Sequence, residues 1–132
     1  MTDGRGVPLS VTITAANVHD KWLVGEVLDD VMVRAPGGAP LRPKHLCLDK
    51  GYDFADTEQA VRDRDITPHI RRKGEPPLVG CVRGKPRQWV VERTNSWHNR
   101  FRALLVRWER KANNYVALLD LACGLIALQQ AR

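Results

Sequence analysis

Two acidic residues, Asp49 and Glu92, are the side chains in this 132-residue sequence whose type and setting suit chemistry. Asp49 closes the run Leu46, Cys47, Leu48 and opens the turn Lys50, Gly51, so it reads as an acid at the end of a short buried strand. Glu92 lies within Trp89, Val90, Val91, Glu92, Arg93, the first turn of an amphipathic helix. Carboxylates held on rigid elements are hard oxygen donors for a divalent cation. Such an ion activates water and stabilises a departing oxygen in phosphoryl displacement. Each acid also has a plain structural use. Asp49 suits the start of a tight turn, and Glu92 would stabilise a helix dipole by ~0.3–1 kcal/mol. Glu109 is a weaker candidate, because it falls in the last turn of the same expected helix, where negative charge is unfavourable.

The elements that must position these acids follow from periodicity. Leu9, Val11 and Ile13 alternate with Ser10, Thr12 and Thr14, which predicts a strand from Val7 to Thr14 with Pro8 near its start. A helix capped by Asn17 or Asp20 should run to about Val33, with Trp22, Leu23, Val27, Leu28 and Val31 on one face. A Pro/Gly-rich loop, Ala35 to Pro43, leads into a strand at His45 to Leu48, too continuously apolar for a sheet edge. Phe54 to Asp65 reads as a helix capped by Asp53, with Ala60 and Val61 inward, and Ile66 to Ile70 as a strand. The segment 71–88 is rich in Gly, Pro and positive charge and reads as a basic loop. Helices from about Trp89 to Lys111 and from Asn113 to Ala131 complete an α/β order. On the first of these, Glu92, Ser96, Asn99 and Arg100 share a polar face, opposite Trp97, Phe101, Leu104, Leu105 and Trp108.

The chain fits one domain, and 43% hydrophobic residues suffice for a core. An excess of 21 Lys and Arg over 15 Asp and Glu favours a polyanionic partner, nucleic acid above all. Arg87, Arg93 and Arg100, nearest Glu92 in sequence, are the candidates for DNA-phosphate contact. Cys47, Cys81 and Cys123 are too few and too dispersed for a disulfide framework or zinc site, which points to a reducing cytosol. Cys47 and Cys123 lie in apolar runs and read as core residues. The four histidines show no metal-ligand spacing, and no glycine pattern matches a phosphate-binding loop. The apolar run Tyr115 to Leu128 is shorter than the ~20 residues that cross a bilayer and reads as a buried helix.

Taken in order, these segments resemble the catalytic domain of bacterial insertion-sequence transposases of the DDE class. The string Asp49, Lys50, Gly51, Tyr52, Asp53 is similar to the family's motif carrying the second catalytic Asp. Trp89 to Arg93, continued by Ser96 to Arg102, resembles its catalytic-Glu helix. The likeness includes Asp3 to Leu9, His19-Asp20 and Val106 to Glu109. It implies an RNase H-like α/β fold in which Asp49 and Glu92 are catalytic and bind Mg²⁺ or Mn²⁺, two ions in the complete enzyme. It implies DNA transposition by metal-dependent strand cleavage and strand transfer at element ends, on double-stranded DNA. The location expected is the bacterial cytoplasm, nucleoid-associated when DNA is bound, with no membrane partner.

In that family the first catalytic Asp lies on a strand upstream of the hairpin that Asp3 and Gly4 resemble. The expectation is therefore a partial catalytic domain over residues 1–132, truncated at the N-terminus with the first strand region missing and inactive alone. The upstream transposase polypeptide or a homo-oligomer would be its partner. The alternative is a non-catalytic DNA-binding or regulatory remnant.

Overall fold

A computed structural model describes residues 1–39, 41–72, 74 and 88–132, with Gln88 described in its backbone alone. They group into two compact units, one made of residues 14–87 and the other of residues 1–13 with 88–132.

The unit of residues 14–87 opens on a tight 3-10 turn, Asp20–Leu23, entered through His19, whose Nδ1 accepts from the Lys21 amide at 3.2 Å. Helix α1 (Val24–Asp29) follows. Strand β1 (His45–Leu48) leads through a second 3-10 turn, Lys50–Tyr52, to helix α2 (Ala55–Arg62) and strand β2 (Thr67–Ile70). The strands pair in parallel, His45 opposite Thr67 and Leu48 opposite Ile70. A parallel pair needs a crossover, and α2 supplies it. Val24, Leu28, Val31, Val61 and Ile66 form the core. Arg64 clamps the end of α1: its Nε donates to Asp29 Oδ1 at 2.8 Å and its Nη2 to Asp29 Oδ2, while Nη1 donates to the Ala60 carbonyl. The chain leaves α2 through Asp65 at φ 58°, a left-handed position that Asp tolerates better than bulkier residues.

Several expectations change here. The helix expected to reach Val33 stops at Asp29. Trp22 is 66% exposed, because the 3-10 turn has a tighter period than an α-helix and rotates it off the Leu28 face. Asp53 does not cap α2; the cap position is Phe54, with no side-chain bond, and Asp56 Oδ1 accepts from the Thr57 amide at 2.9 Å. The sheet among the described residues has two strands, so β1 is an edge, and Cys47 is exposed rather than core.

In the other unit the expected strand from Val7 to Thr14 does not form. The Leu9 amide donates to the Met1 carbonyl at 2.9 Å, and the Met1 ammonium donates to the Ser10 carbonyl at 2.6 Å. Pro8 brings no N–H, so the pairing ends at one antiparallel bridge, Thr2 to Pro8, and Ser10 points inward. Asp3 organises the turn inside this bridge, its Oδ1 accepting from the amides of Arg5 and Val7 at 2.8 Å each.

Helices α3 (Gln88–His98), α4 (Arg102–Leu105) and α5 (Ala112–Gln130) make up the rest. A single helix to Lys111 was expected; instead α3 closes on three-residue bonds, Arg100 to Trp97 and Phe101 to His98, around the poor helix former Asn99. Trp108 is consequently in no helix and is 79% exposed. On α5, Leu119, Ala122, Cys123 and Ile126 are buried at i, i+3, i+4, i+7 spacing, while Leu121, Leu125 and Leu128 are exposed. The helix is buried on one face only. At 19 residues it is also longer than the run read from sequence, long and apolar enough by those measures to cross a membrane, as core helices of soluble proteins also are.

Candidate active site

Asp49 sits where the parallel pair ends. Its backbone is still extended, and its Oδ1 accepts from the Lys50 amide at 2.7 Å, capping the turn Lys50–Tyr52. The side chain is exposed, and a carboxylate has about four lone-pair sites, so this one bond leaves most of its donor capacity available. The turns Asp20–Leu23 and Lys50–Tyr52 lie against each other. Between them the half-buried Tyr52 phenol is pushed above its ordinary pKa, first by burial and then by the negative charges of Asp20 and Asp49. Two carboxylates thus act on one hydroxyl. In the sequence Asp20 reads first as a helix cap; the signal for more is its place in the His19-Asp20 pair.

Beside this pair, Lys21 Nζ lies 3.2 Å from Asp56 Oδ2 and over the rings of Trp22 and Phe54, at 4.4 and 4.2 Å from their centroids. The Lys21 hydrogen bond holds the Asp56 carboxyl below its usual range. This cation is internally balanced by Asp56.

Glu92 belongs to the other unit. It is exposed on α3 and stands one turn in from Gln88, so the first turn carries no acid and the dipole reading of Glu92 loses its basis. Glu109 is not in a helix; its Oε2 accepts from Asn114 Nδ2 at 3.2 Å, at the start of α5. Arg93, next to Glu92, is held by its neighbours one turn away: its guanidinium carbon is 4.3 Å from the Trp89 ring centroid and 5.9 Å from that of Trp97. Its Nη1 donates to the Arg5 carbonyl at 3.4 Å. Stacking of this kind keeps an arginine extended while leaving edge donors for a phosphate. Arg100 is exposed in the turn after α3. Arg87 and most of the basic loop 71–88, with Lys73, Cys81, Arg83 and Lys85, lie outside the described residues.

The polar face of α3 rests on a firm base. Thr94 is buried, and its hydroxyl lies 2.6 Å from the Gly6 carbonyl it donates to and 3.1 Å from that of Val90. Behind α3, His98 Nε2 is 3.4 Å from Cys123 Sγ. Burial lowers the imidazole pKa and raises that of the thiol, so both are held neutral and the pair is not an activated nucleophile.

For a divalent ion, the chemistry of the donors fits: Asp49 and Glu92 are exposed carboxylates, and Asp20 adds a third acid near the first. Among the described residues, however, no three His, Cys, Asp or Glu side chains are gathered closely enough to hold a metal.

Residues 1–126 match the family model described as the transposase DDE domain, and the chain belongs to that family. Membership implies an RNase H-like α/β fold, with which the parallel β1–α2–β2 unit agrees. It is 40% identical over 134 residues to a protein of Burkholderia cepacia named as a putative transposase for insertion sequence element IS402. That match takes in 100% of this chain and 62% of the relative, so the chain spans less than two thirds of its relative's length. No solved structure matches.

Proposed function

We propose that this chain serves DNA transposition as part of a DDE catalytic domain, with Asp49 and Glu92 as the carboxylates that hold its metal. The observation that carries the reading is the exposed acid at the end of a parallel strand, whose charge and that of Asp20 both act on the Tyr52 phenol, in a chain of the DDE family. Proteins of this family work with divalent metal ions; here Mg²⁺ or Mn²⁺, as a pair, would supply the activated water and the neutralised leaving oxygen. The residues of this chain do the rest. Asp49 and Glu92 present hard oxygen donors, Tyr52 keeps Asp49 oriented by filling the space beneath it, and Arg93, Arg100 and Arg87 contact the phosphates of double-stranded DNA. Those contacts set position, not sequence.

The same reading places the protein in the bacterial cytoplasm, on the nucleoid when DNA is bound. The chain spans 62% of its relative, and in this reading it acts with another transposase polypeptide or a second copy and does not cut DNA alone. Mn²⁺ binding, followed by electron paramagnetic resonance, tests this together with a nicking assay. The expected result is Mn²⁺ binding that is lost in Asp49→Asn and weakened in Glu92→Gln, with no nicking by the chain alone. Binding indifferent to both substitutions would overturn the catalytic reading and favour the second one, a non-catalytic DNA-binding remnant. The basic charge of +6 supports that second reading independently.

A further inference from the structure

The exposed face of the two-stranded sheet carries a side-chain cluster that the transposase chemistry does not use. Residues alternate across a strand, so His45 and Cys47 of β1 share one face with Thr67 and His69 of β2, in the register His45 to Thr67 and Cys47 to His69. The two imidazoles meet there. His45 Nδ1 lies 3.0 Å from His69 Nε2, with ring centroids 5.1 Å apart and planes inclined by 44°. Both residues are exposed, so an ion from solvent reaches them unhindered.

We propose that His45 and His69 form a two-imidazole site for a late first-row divalent ion of tetragonal preference, Cu²⁺ or Ni²⁺, distinct from the carboxylate site for Mg²⁺ or Mn²⁺. The geometry distinguishes candidates. With metal–nitrogen bonds of ~2.0–2.1 Å, a nitrogen separation of 3.0 Å subtends about 91–97° at the metal, close to the angle between adjacent ligands of a square or tetragonal ion. A tetrahedral zinc ion wants its ligand atoms roughly 3.3–3.4 Å apart at that bond length.

Without metal, one ring donates its N–H to the other across this gap. When the ion enters, the donating ring carries its proton on its far nitrogen instead, and both facing nitrogens offer lone pairs. Water completes the shell, since no third protein ligand is gathered closely enough among the described residues. Parallel strands fix the two α-carbons, so the chelate forms with little ordering cost.

Ni²⁺ titration of the whole chain by calorimetry tests the site, with Cu²⁺ spectra reporting nitrogen ligation. One equivalent of Ni²⁺ should bind, and His45→Ala and His69→Ala should each weaken it by roughly a hundredfold, because either change converts a chelate into a single ligand. His19→Ala, outside the pair, should leave the titration unchanged, and circular dichroism should report intact folding in each variant. Losses no larger than that of His19→Ala would mean independent surface histidines and overturn the proposal. Binding that vanishes in Cys47→Ser but survives in His45→Ala would overturn it too, by assigning the ion to the thiol. Neither outcome bears on Asp49 or Glu92.

Discussion

Replacing Thr94 by Val should destabilise the protein by an amount that can be worked from one contact. The Thr94 hydroxyl donates to the Gly6 carbonyl at 2.6 Å, and both residues are buried. Valine has the same shape, but it puts a methyl group against that oxygen and leaves the acceptor unsatisfied in the core, at a cost of ~1–3 kcal/mol. The short contact leaves no room for a carbon atom without a shift, which moves the expected value to about 2 kcal/mol, or a fall in melting midpoint of roughly 6–12 °C. Thr94→Ser keeps the hydroxyl and should cost no more than ~1 kcal/mol. Gly6→Ala attacks the same contact from its other side, since Gly6 has φ 93° and an added Cβ would lie 3.2 Å from both Thr94 Oγ1 and the Val90 carbonyl. The assay is urea denaturation followed by helix circular dichroism, with the double variant included. Because the two changes break one interaction, the double variant should lose less than the sum of the singles. A Thr94→Val protein within ~0.5 kcal/mol of the parent, or strictly additive losses, would refute the reasoning that this bond secures α3 to the N-terminal turn.

Thr57 gives a prediction of opposite sign: its Oγ1 is buried without a hydrogen-bond partner among the described residues, so Thr57→Val should raise stability by ~1 kcal/mol in the same urea assay. The Arg64 bond depresses the pKa of Asp29, so its stabilisation is full above the unfolded carboxyl pKa and is lost as pH falls through the lower folded value. Since the Asp29 side chain is 52% exposed, solvent screening limits this to a few tenths of a kcal/mol. Arg64→Ala should remove that increment near pH 6 and have little effect of this kind near pH 2, as paired denaturation curves would reveal. In a Cys81→Ser background a thiol reagent should modify exposed Cys47 rapidly and buried Cys123 only on unfolding; two fast thiols would contradict the α5 packing. Binding to duplex DNA should weaken steeply with salt, and Arg93→Ala with Arg100→Ala should lower the slope of log affinity against log salt by about 2. An unchanged slope would remove both arginines from the interface.

What could be read from the sequence was local. β1 was found at its observed bounds, because an apolar run stopped by Asp49 and Gly51 has few other readings, and α2 and β2 followed from the same punctuation. Errors arose where backbone bonding, and not side-chain periodicity, decides the outcome. The alternation of Leu9, Val11 and Ile13 is a strand pattern, yet Met1 takes the backbone bonds that a strand partner would have needed. The apolar spacing through Trp108 fits a helix, but the break at Asn99 and Arg100 lies within an unbroken pattern and leaves no glycine or proline mark. Periodicity measures burial and cannot tell which chain supplies it. The candidate acids Asp49 and Glu92 were nameable from residue type and setting, whereas the action of Asp20 on Tyr52 depends on two short turns that meet only in three dimensions.

The unit containing α3 is assembled from the two ends of the polypeptide, with residues 14–87 between them. Bringing those ends together carries a loop-closure cost of about 4 kcal/mol beyond a constant, whereas β1 and β2 join across the short α2 crossover. On a ribosome adding ~5–20 residues per second, the N-terminal segment waits on the order of ten seconds for α3 and α5. During that interval Val7, Leu9, Val11 and Ile13 have no lasting partner, and they find their place only after segments made later than themselves. The time at which Thr94 emerges, and not the time at which Gly6 does, therefore sets when the support beneath Glu92 is built.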